Sequence, residues 1–216
     1  MICPTITVDN LDDYRSQLEL AKSLAGRIHI DLMDGVFAPR TSPNIEDIWL
    51  PNNVISDLHL MYMDPFKELE IIKKLHPDLV IIHSESRIDH LHFVSLLHAE
   101  NIKVGLAILP QTSLDQVAGI ITSFDHVMIF SGNLGYQGGS QVDLSLVDRV
   151  EQVKSRHPSA EIGWDGGVNS ENVATIARAG VDVINVGGFI HNAQNPQEAY
   201  AKLEVVARRS YEETKH

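Results

Sequence analysis

Two side chains able to ligate or to move protons stand two residues apart in a run that reads as a strand. They are His29 and Asp31, in Arg27-Ile28-His29-Ile30-Asp31-Leu32-Met33. Alternation along a strand puts His29, Asp31 and Met33 on one face and Ile28, Ile30 and Leu32 on the other. The aliphatic face suits packing against helices, so the mixed face points inward. A second run, Asp57-Leu58-His59-Leu60-Met61, turns Asp57, His59 and Met61 inward by the same alternation. A third ends in Trp164-Asp165-Gly166-Gly167, leaving Asp165 at the carboxyl end of its strand. Polar groups inside a fold are costly unless something satisfies them. Two neutral imidazoles and two carboxylates meeting near one axis would form a divalent-metal site with nitrogen and oxygen ligands. Each residue alone has a plainer reading: an internal His–Asp pair, a packed histidine, a strand-to-helix turn. Their convergence from separate strands is what argues for a metal.

Glycine doublets form a second constellation. Gly138-Gly139, Gly166-Gly167 and Gly187-Gly188 follow the sixth, seventh and eighth predicted strands. Glycine lets the backbone approach a ligand closely and turn its amides toward it. Barrels often bind phosphate with the loops after strands seven and eight, beside a helix amino end. Three successive loops with a doublet each therefore read as a phosphate cradle. Met33, Met61 and Met128 occupy inward positions near strand ends, as core packing or as a soft apolar lining of the site. His83 and Glu85 end the fourth strand and read as rim groups or as supports behind the site. His76, His90, His92, His98, His157 and His216 lie in helical or terminal polar surroundings and are assigned no role. Cys3 reads as a small buried hydrophobe.

The elements that must position these residues alternate along the chain. Predicted strands cover 2–7, 27–33, 54–61, 79–83, 102–108, 126–130, 161–165 and 182–187. Helical periodicity covers 10–25, 64–76, 89–100, 112–122, 142–157, 169–179 and 195–212, as in Leu69, Ile72 and Leu75. Asp9 or Asn10, Thr112 or Ser113, and Asn169 or Ser170 read as N-caps, and Asn101 and Gly180 as stops. Strand–helix alternation implies parallel strands with helical crossovers. Eight such strands in 216 residues fit a TIM (β/α)8 barrel, one domain over residues 1–216, near the lower size limit of that fold. An open doubly wound sheet is the runner-up, disfavoured because no G-x-G-x-x-G opens the first helix. Two connections are long, 34–53 and 131–141, and both follow strands, placing them on the face where barrels do chemistry.

Composition narrows the partners. The chain carries 17 basic and 29 acidic residues, a net charge of −12, and no basic stripe with aromatics, which speaks against nucleic acid. A small anion can still bind where the site supplies its own positive field. No apolar run approaches the roughly 20 residues that cross a bilayer. With one cysteine and no export-signal pattern, a cytoplasmic setting is expected, and a cysteine-built metal centre is excluded.

What is missing matters too. No lysine lies near the carboxyl end of a predicted strand, as a Schiff-base aldolase requires; Lys103 begins the fifth strand, at the opposite face. A phosphosugar decarboxylase on a related barrel would show Asp-x-Lys-x-x-Asp, whereas this chain reads Asp31-Leu32-Met33-Asp34. Metal plus two aspartates is what remains.

At these residues the chain resembles the ribulose-phosphate 3-epimerase family. The resemblance rests on Ile2-Cys3-Pro4-Thr5, on His29-Ile30-Asp31-Leu32-Met33-Asp34-Gly35-Val36-Phe37-Ala38-Pro39, on Asp57 to Met61, on Gly105 to Thr112 and on Trp164 to Val168. It implies a TIM barrel with one divalent ion per chain (zinc, iron, manganese or cobalt), held by His29, Asp31, His59 and Asp165. It also implies Asp31 and Asp165 as the acid/base pair, with substrate and phosphate contacts at Thr5, His59, Gly138, Gly139, Gly166, Gly167, Gly187 and Gly188. The expected partner is a small phosphorylated sugar, and a homo-oligomer, dimer or hexamer, is common in the family. Departures cluster where substrate would bind. Thr5 replaces a usual serine, Gly188 replaces a common serine, 40–43 is shortened and 131–139 is lengthened.

The chemistry this implies is epimerisation at C3, most simply of D-ribulose 5-phosphate to D-xylulose 5-phosphate. One aspartate removes a proton, the other returns one, and a metal stabilises the ene-diolate. Metal binding needs neutral imidazoles, so activity should fall at acid pH. Alternatives are epimerisation of a related ketose phosphate such as allulose 6-phosphate, a phosphosugar lyase, and a catalytically silent sugar-phosphate-binding barrel.

Overall fold

In a computed structural model, which describes residues 1–213, the chain forms a closed barrel of parallel strands in sequence order. These are β1 (Ile2–Ile6), β2 (Arg27–Met33), β3 (Ile55–Met61), β4 (Leu79–His83), β5 (Lys103–Ile108), β6 (His126–Phe130), β7 (Glu161–Asp165) and β8 (Val183–Val186). β8 pairs with β1 to close the ring. Outward aliphatic faces such as Ile28, Ile30, Leu58 and Leu60 are buried under the helices, because a barrel strand is covered on both sides. The helices are α1 (Leu11–Leu24), α2 (Leu69–Leu75), α3 (His90–His98), α4 (Asp148–Arg156), α5 (Val173–Arg178), α6 (Gly188–His191) and α7 (Pro196–Glu212). None is long and apolar enough to cross a membrane.

Register decides which side chains meet. Along the β2–β3 pair His29 lies level with Asp57, Asp31 with His59 and Met33 with Met61. A slip of one residue in either strand would send that strand's three to the outer face. At the amino-terminal face, aspartates just ahead of alternate strands pin the preceding neighbour. Asp78, Asp125 and Asp182 accept the amides of Ser56, Val104 and Ile162, each at 2.9 Å. A charged layer floors the barrel there. Arg27 Nε donates to Asp57 at 2.8 Å, both terminal guanidinium nitrogens donate to Glu161 at 2.8 Å, and His126 Nδ1 lies 2.8 Å from Glu161.

Several predicted helices come out differently. Residues 112–122 form a chain of turns ending in a 3₁₀ turn at Ile121–Ser123, not an α-helix. Leu114, Val117 and Ile121 are still buried, so the periodicity marked the covered face correctly. The run of Thr, Ser, Asp and β-branched residues, with Gly119 inside, does not sustain i→i−4 bonding. The segments over 64–76 and 142–157 each begin with a 3₁₀ turn before α2 and α4. The segment predicted over 169–179 starts only at Val173. Asn169 does not cap it; its side chain accepts from Glu171 N at 2.8 Å, and Asn172 ties the helix start to Gly167 O at 2.9 Å. Asn10 caps α1 as expected, and Asn101 and Gly180 adopt positive φ at helix ends.

Candidate active site

His29, Asp31, His59 and Asp165 converge. One ligand atom from each, a ring nitrogen of both histidines and a carboxylate oxygen of both aspartates, can be chosen so that all lie within 4.8 Å of one another. His59 Nδ1 is 2.8 Å from Asp31 Oδ1 and 3.7 Å from Asp165 Oδ2, while His29 Nε2 is 3.3 Å and 3.9 Å from the same oxygens. Both histidines are fully buried, and neither ring nitrogen of His29 has a hydrogen-bond partner. Two buried ring nitrogens facing two carboxylate oxygens form a donor set of the kind that holds a divalent cation.

The electrostatics are divided unevenly between the two acids. Burial would raise the Asp31 carboxyl, but the adjacent His29 and His59 rings hold it well below the usual carboxylate range. Burial, together with the Asp31 charge, lifts Asp165 to about 7. Burial pushes His59 down to about 3, Asp31 only partly offsetting it, so this imidazole is neutral.

A cavity of about 290 Å³ opens above the carboxylates at the carboxyl-terminal face. All six glycines of the three doublets line it, as do Thr5, Asp31, Asp165 and Met61. Gly166 has φ +109°, and a Cβ there would collide with the Gly132 backbone, so only glycine fits this turn. At Gly188 a Cβ would lie 2.5 Å from Gly138 Cα. The loop after β6 thus occupies the space that a side chain at 188 would need.

Other expected lining residues sit elsewhere. Met33 packs with Met61 and Ala38 against Phe37 and Leu134, away from the cavity wall. Met128 is inside the barrel, with its sulfur 3.4 Å from Asn185 Nδ2. His59 is buried behind the wall, not on it. His216 lies outside the described residues.

Four residues were not singled out for the site from sequence. Thr7 Oγ1 donates to Asp31 Oδ2 at 2.6 Å and fixes that carboxylate. Asn185 is buried on the cavity wall with Oδ1 unpartnered, as is Thr5 Oγ1. Asn192 also lines the cavity. His90 Nε2 lies 3.0 Å from His83 O, giving a helix histidine a fixed place beside the site. The alternation that exposed His29 and Asp31 also applies to Thr5 and Thr7, and Asn185 interrupts the apolar run Val183 to Val186. His83 proves to be a support: its Nε2 is 2.8 Å from His59 Nε2. Glu85 stands behind it and is held down to about 2, because His83, Thr112 and the Leu109 amide outweigh burial.

The family model for the ribulose-phosphate 3-epimerase family matches residues 1–191. The chain belongs to the ribulose-phosphate 3-epimerase family. With it, the chain falls among the isomerases that act on carbohydrates as epimerases. A ribulose-phosphate 3-epimerase of Helicobacter pylori strain J99 is 28% identical over 200 residues, covering 88% of this chain and 92% of that protein. One from Aquifex aeolicus is 29% identical over 183 residues, 82% of each. Among solved structures, 3-hexulose-6-phosphate synthase from Salmonella typhimurium superposes with a TM-score of 0.69 at 16% identity, covering 97% of this chain and 99% of that one. A 3-keto-L-gulonate-6-phosphate decarboxylase from Vibrio cholerae superposes with a TM-score of 0.70 at 11% identity, covering 97% of each. Those likenesses establish the TIM-barrel fold and nothing about the reaction. Among the described residues no lysine lines the cavity.

Proposed function

We propose that this chain epimerises a ketose phosphate at C3, interconverting D-ribulose 5-phosphate and D-xylulose 5-phosphate, with Asp31 and Asp165 as the proton-transfer pair. One observation carries the reading. The two carboxylates come from β2 and β7, across β1 and β8, and reach a single cavity that the three glycine doublets also line.

Inversion beside a ketone removes a proton from one face of C3 and returns one to the other. The carboxylate on one side accepts that proton, and the C–H electron pair moves into the carbonyl to give an ene-diolate. The carboxylic acid on the other side then delivers its proton to C3, and the roles exchange in the reverse direction. Unequal environments favour such a pair, since one acid is held ionised while the other keeps a proton near neutrality. Backbone amides of Gly166, Gly167, Gly187 and Gly188, with Gly138 and Gly139, would hold the phosphate and so fix C3 between the acids. His29, Asp31, His59 and Asp165 would hold one divalent ion, for which their donor types suit zinc, iron, manganese or cobalt. Such an ion supplies Lewis-acid stabilisation of charge developing on the substrate oxygens.

Incubation with D-ribulose 5-phosphate in deuterated water tests the proposal. Xylulose 5-phosphate should accumulate with deuterium at C3. Binding without exchange would leave only a sugar-phosphate-binding barrel, and release of carbon dioxide or an aldehyde would make it a lyase. Turnover confined to another ketose phosphate, such as allulose 6-phosphate, supports the second reading.

Thr5 Oγ1 and Asn185 Oδ1 would serve as contacts for a substrate hydroxyl. Asn185→Val should then raise KM about tenfold, the worth of one hydrogen bond. Its ligand-free melting midpoint should hold or rise, because a buried unsatisfied oxygen is removed. A lower midpoint with unchanged KM would show that Asn185 serves the fold instead.

A further inference from the structure

We propose that His83 and Glu85 are positioning residues that set which nitrogen of His59 is free to ligate a metal. The inference rests on the metal reading given above, and it extends that reading to two side chains with no place among the four ligands.

The argument is one of hydrogen counting. His59 points Nδ1 at Asp31 and Asp165, and its other nitrogen, Nε2, lies 2.8 Å from His83 Nε2. At that separation exactly one hydrogen lies between two imidazole nitrogens, so one ring donates and the other accepts. If His59 is to present a lone pair from Nδ1, its hydrogen must sit on Nε2. His83 must then accept at Nε2 and carry its own hydrogen on Nδ1. Within the described residues the group facing His83 Nδ1 is Glu85 Oε2, at 3.6 Å. Both of these atoms are buried, and neither has a closer hydrogen-bond partner. A carboxylate there favours the hydrogen on Nδ1 of His83, and so on Nε2 of His59.

The opposite arrangement is self-consistent and inactive toward a metal. With the hydrogen on His83 Nε2, His59 would accept at Nε2, carry its hydrogen on Nδ1 and donate to Asp31 Oδ1. No nitrogen of His59 would then face the other ligands with a lone pair. Glu85 biases the pair against that state.

The supports are fixed in turn. Leu109 N donates to Glu85 Oε1 at 3.1 Å. Phe37 lies across the His83 ring at a centroid distance of 4.6 Å, and Phe130 meets it edge-on at 5.7 Å. The imidazole therefore has little freedom to turn its nitrogens away.

Cobalt(II) alone is the probe, titrated into chelator-stripped protein and followed by visible absorption. His83→Phe keeps a ring of similar shape without an acceptor, and should weaken cobalt binding by about 10- to 100-fold. His83→Gln offers an amide oxygen to His59 Nε2–H and should recover most of that loss. Glu85→Leu, which leaves His83 in place, should weaken binding by about tenfold. Ligand-free melting midpoints and inorganic phosphate binding in the glycine loops should stay near the parent's, which a general packing defect would not allow. Parent-like cobalt affinity in His83→Phe, or equal losses in His83→Phe and His83→Gln, would overturn the inference while the metal reading stands. If His83→Phe does not fold, the contrast of His83→Gln with Glu85→Leu decides alone, a parent-like Glu85→Leu overturning it. A parent protein that takes up no cobalt overturns the metal reading itself, and this inference with it.

Discussion

Asp31→Asn and Asp165→Asn are each expected to lower C3 proton exchange by about 10³-fold or more, the scale of losing a general acid or base. The substitution keeps the volume of the side chain, so the cavity and the Thr7 contact at position 31 remain possible. What is lost is the ability to accept and release a proton between β2 and β7. Both residues are also candidate ligands, so bound metal must be measured in the same samples. Lost exchange with metal retained assigns the defect to proton transfer; lost exchange with lost metal assigns it to the site's assembly. A variant that turns over near the parent rate would refute the two-base scheme outright. Two separate losses are expected because inversion needs both faces of the carbon, and neither acid can reach round to replace the other.

The second large effect concerns the barrel floor. Arg27→Met should cost about 3 kcal/mol of stability, since it strips the partner from a buried acid. Asp57 is 1% exposed, and its carboxyl is raised by burial even beside Arg27. Without the guanidinium it would take up a proton and remain an unsatisfied buried group. Glu161 adds a pH signature. Although burial opposes it, hydrogen bonding and charge from His126 and Arg27 hold its carboxyl well below the ordinary value. A depressed carboxyl stabilises the fold fully at pH values above the unfolded pKa of about 4.3, and that contribution shrinks progressively as pH falls from there toward the lower folded-state value. Urea unfolding of parent and variant at pH 7 and pH 3.5 should therefore show a gap that narrows on acidification. A gap that widens would mean the floor is held by packing and not by charge.

These two experiments probe opposite ends of the same strands. His29 and Asp31 serve the carboxyl end of β2, while Arg27 begins it; Asp165 ends β7, while Glu161 begins it. The inward face of each strand thus carries one polar layer for chemistry and another for closure, separated by less than the length of the strand. The cavity near the second layer, about 880 Å³ and lined by His76, Asp78, Lys103 and His157 among others, mixes both charge signs and selects no ligand class.

Much of this was readable from the chain. Period-two alternation in Arg27 to Met33 and Ile55 to Met61 fixed which residues face inward, because a strand has only two faces. The eight strand positions came from short apolar runs, and the helix boundaries at Asn10, Asn101 and Gly180 from residues whose side-chain or backbone chemistry leaves few options. Asp165 followed from its place just before a glycine doublet. By contrast, the segment 112–122 was misread because amphipathic spacing reports a covered face, and a series of turns can cover one as well as a helix can.

What the tertiary structure alone decided are the distances between strands. That Asp31 lies level with His59 depends on the β2–β3 register, which no residue within either strand announces. That His83 backs His59 while Met33 and Met128 stand away from the cavity depends on side-chain direction in a curved, closed barrel. The meaning of Gly188 emerged only when Gly138 was found against it, 50 residues earlier in the chain. Composition and periodicity act locally, so they dictate elements and faces. Closure of the barrel brings β8 to β1 and sets every long-range pairing at once, and it is those pairings that turn four separate polar residues into one site.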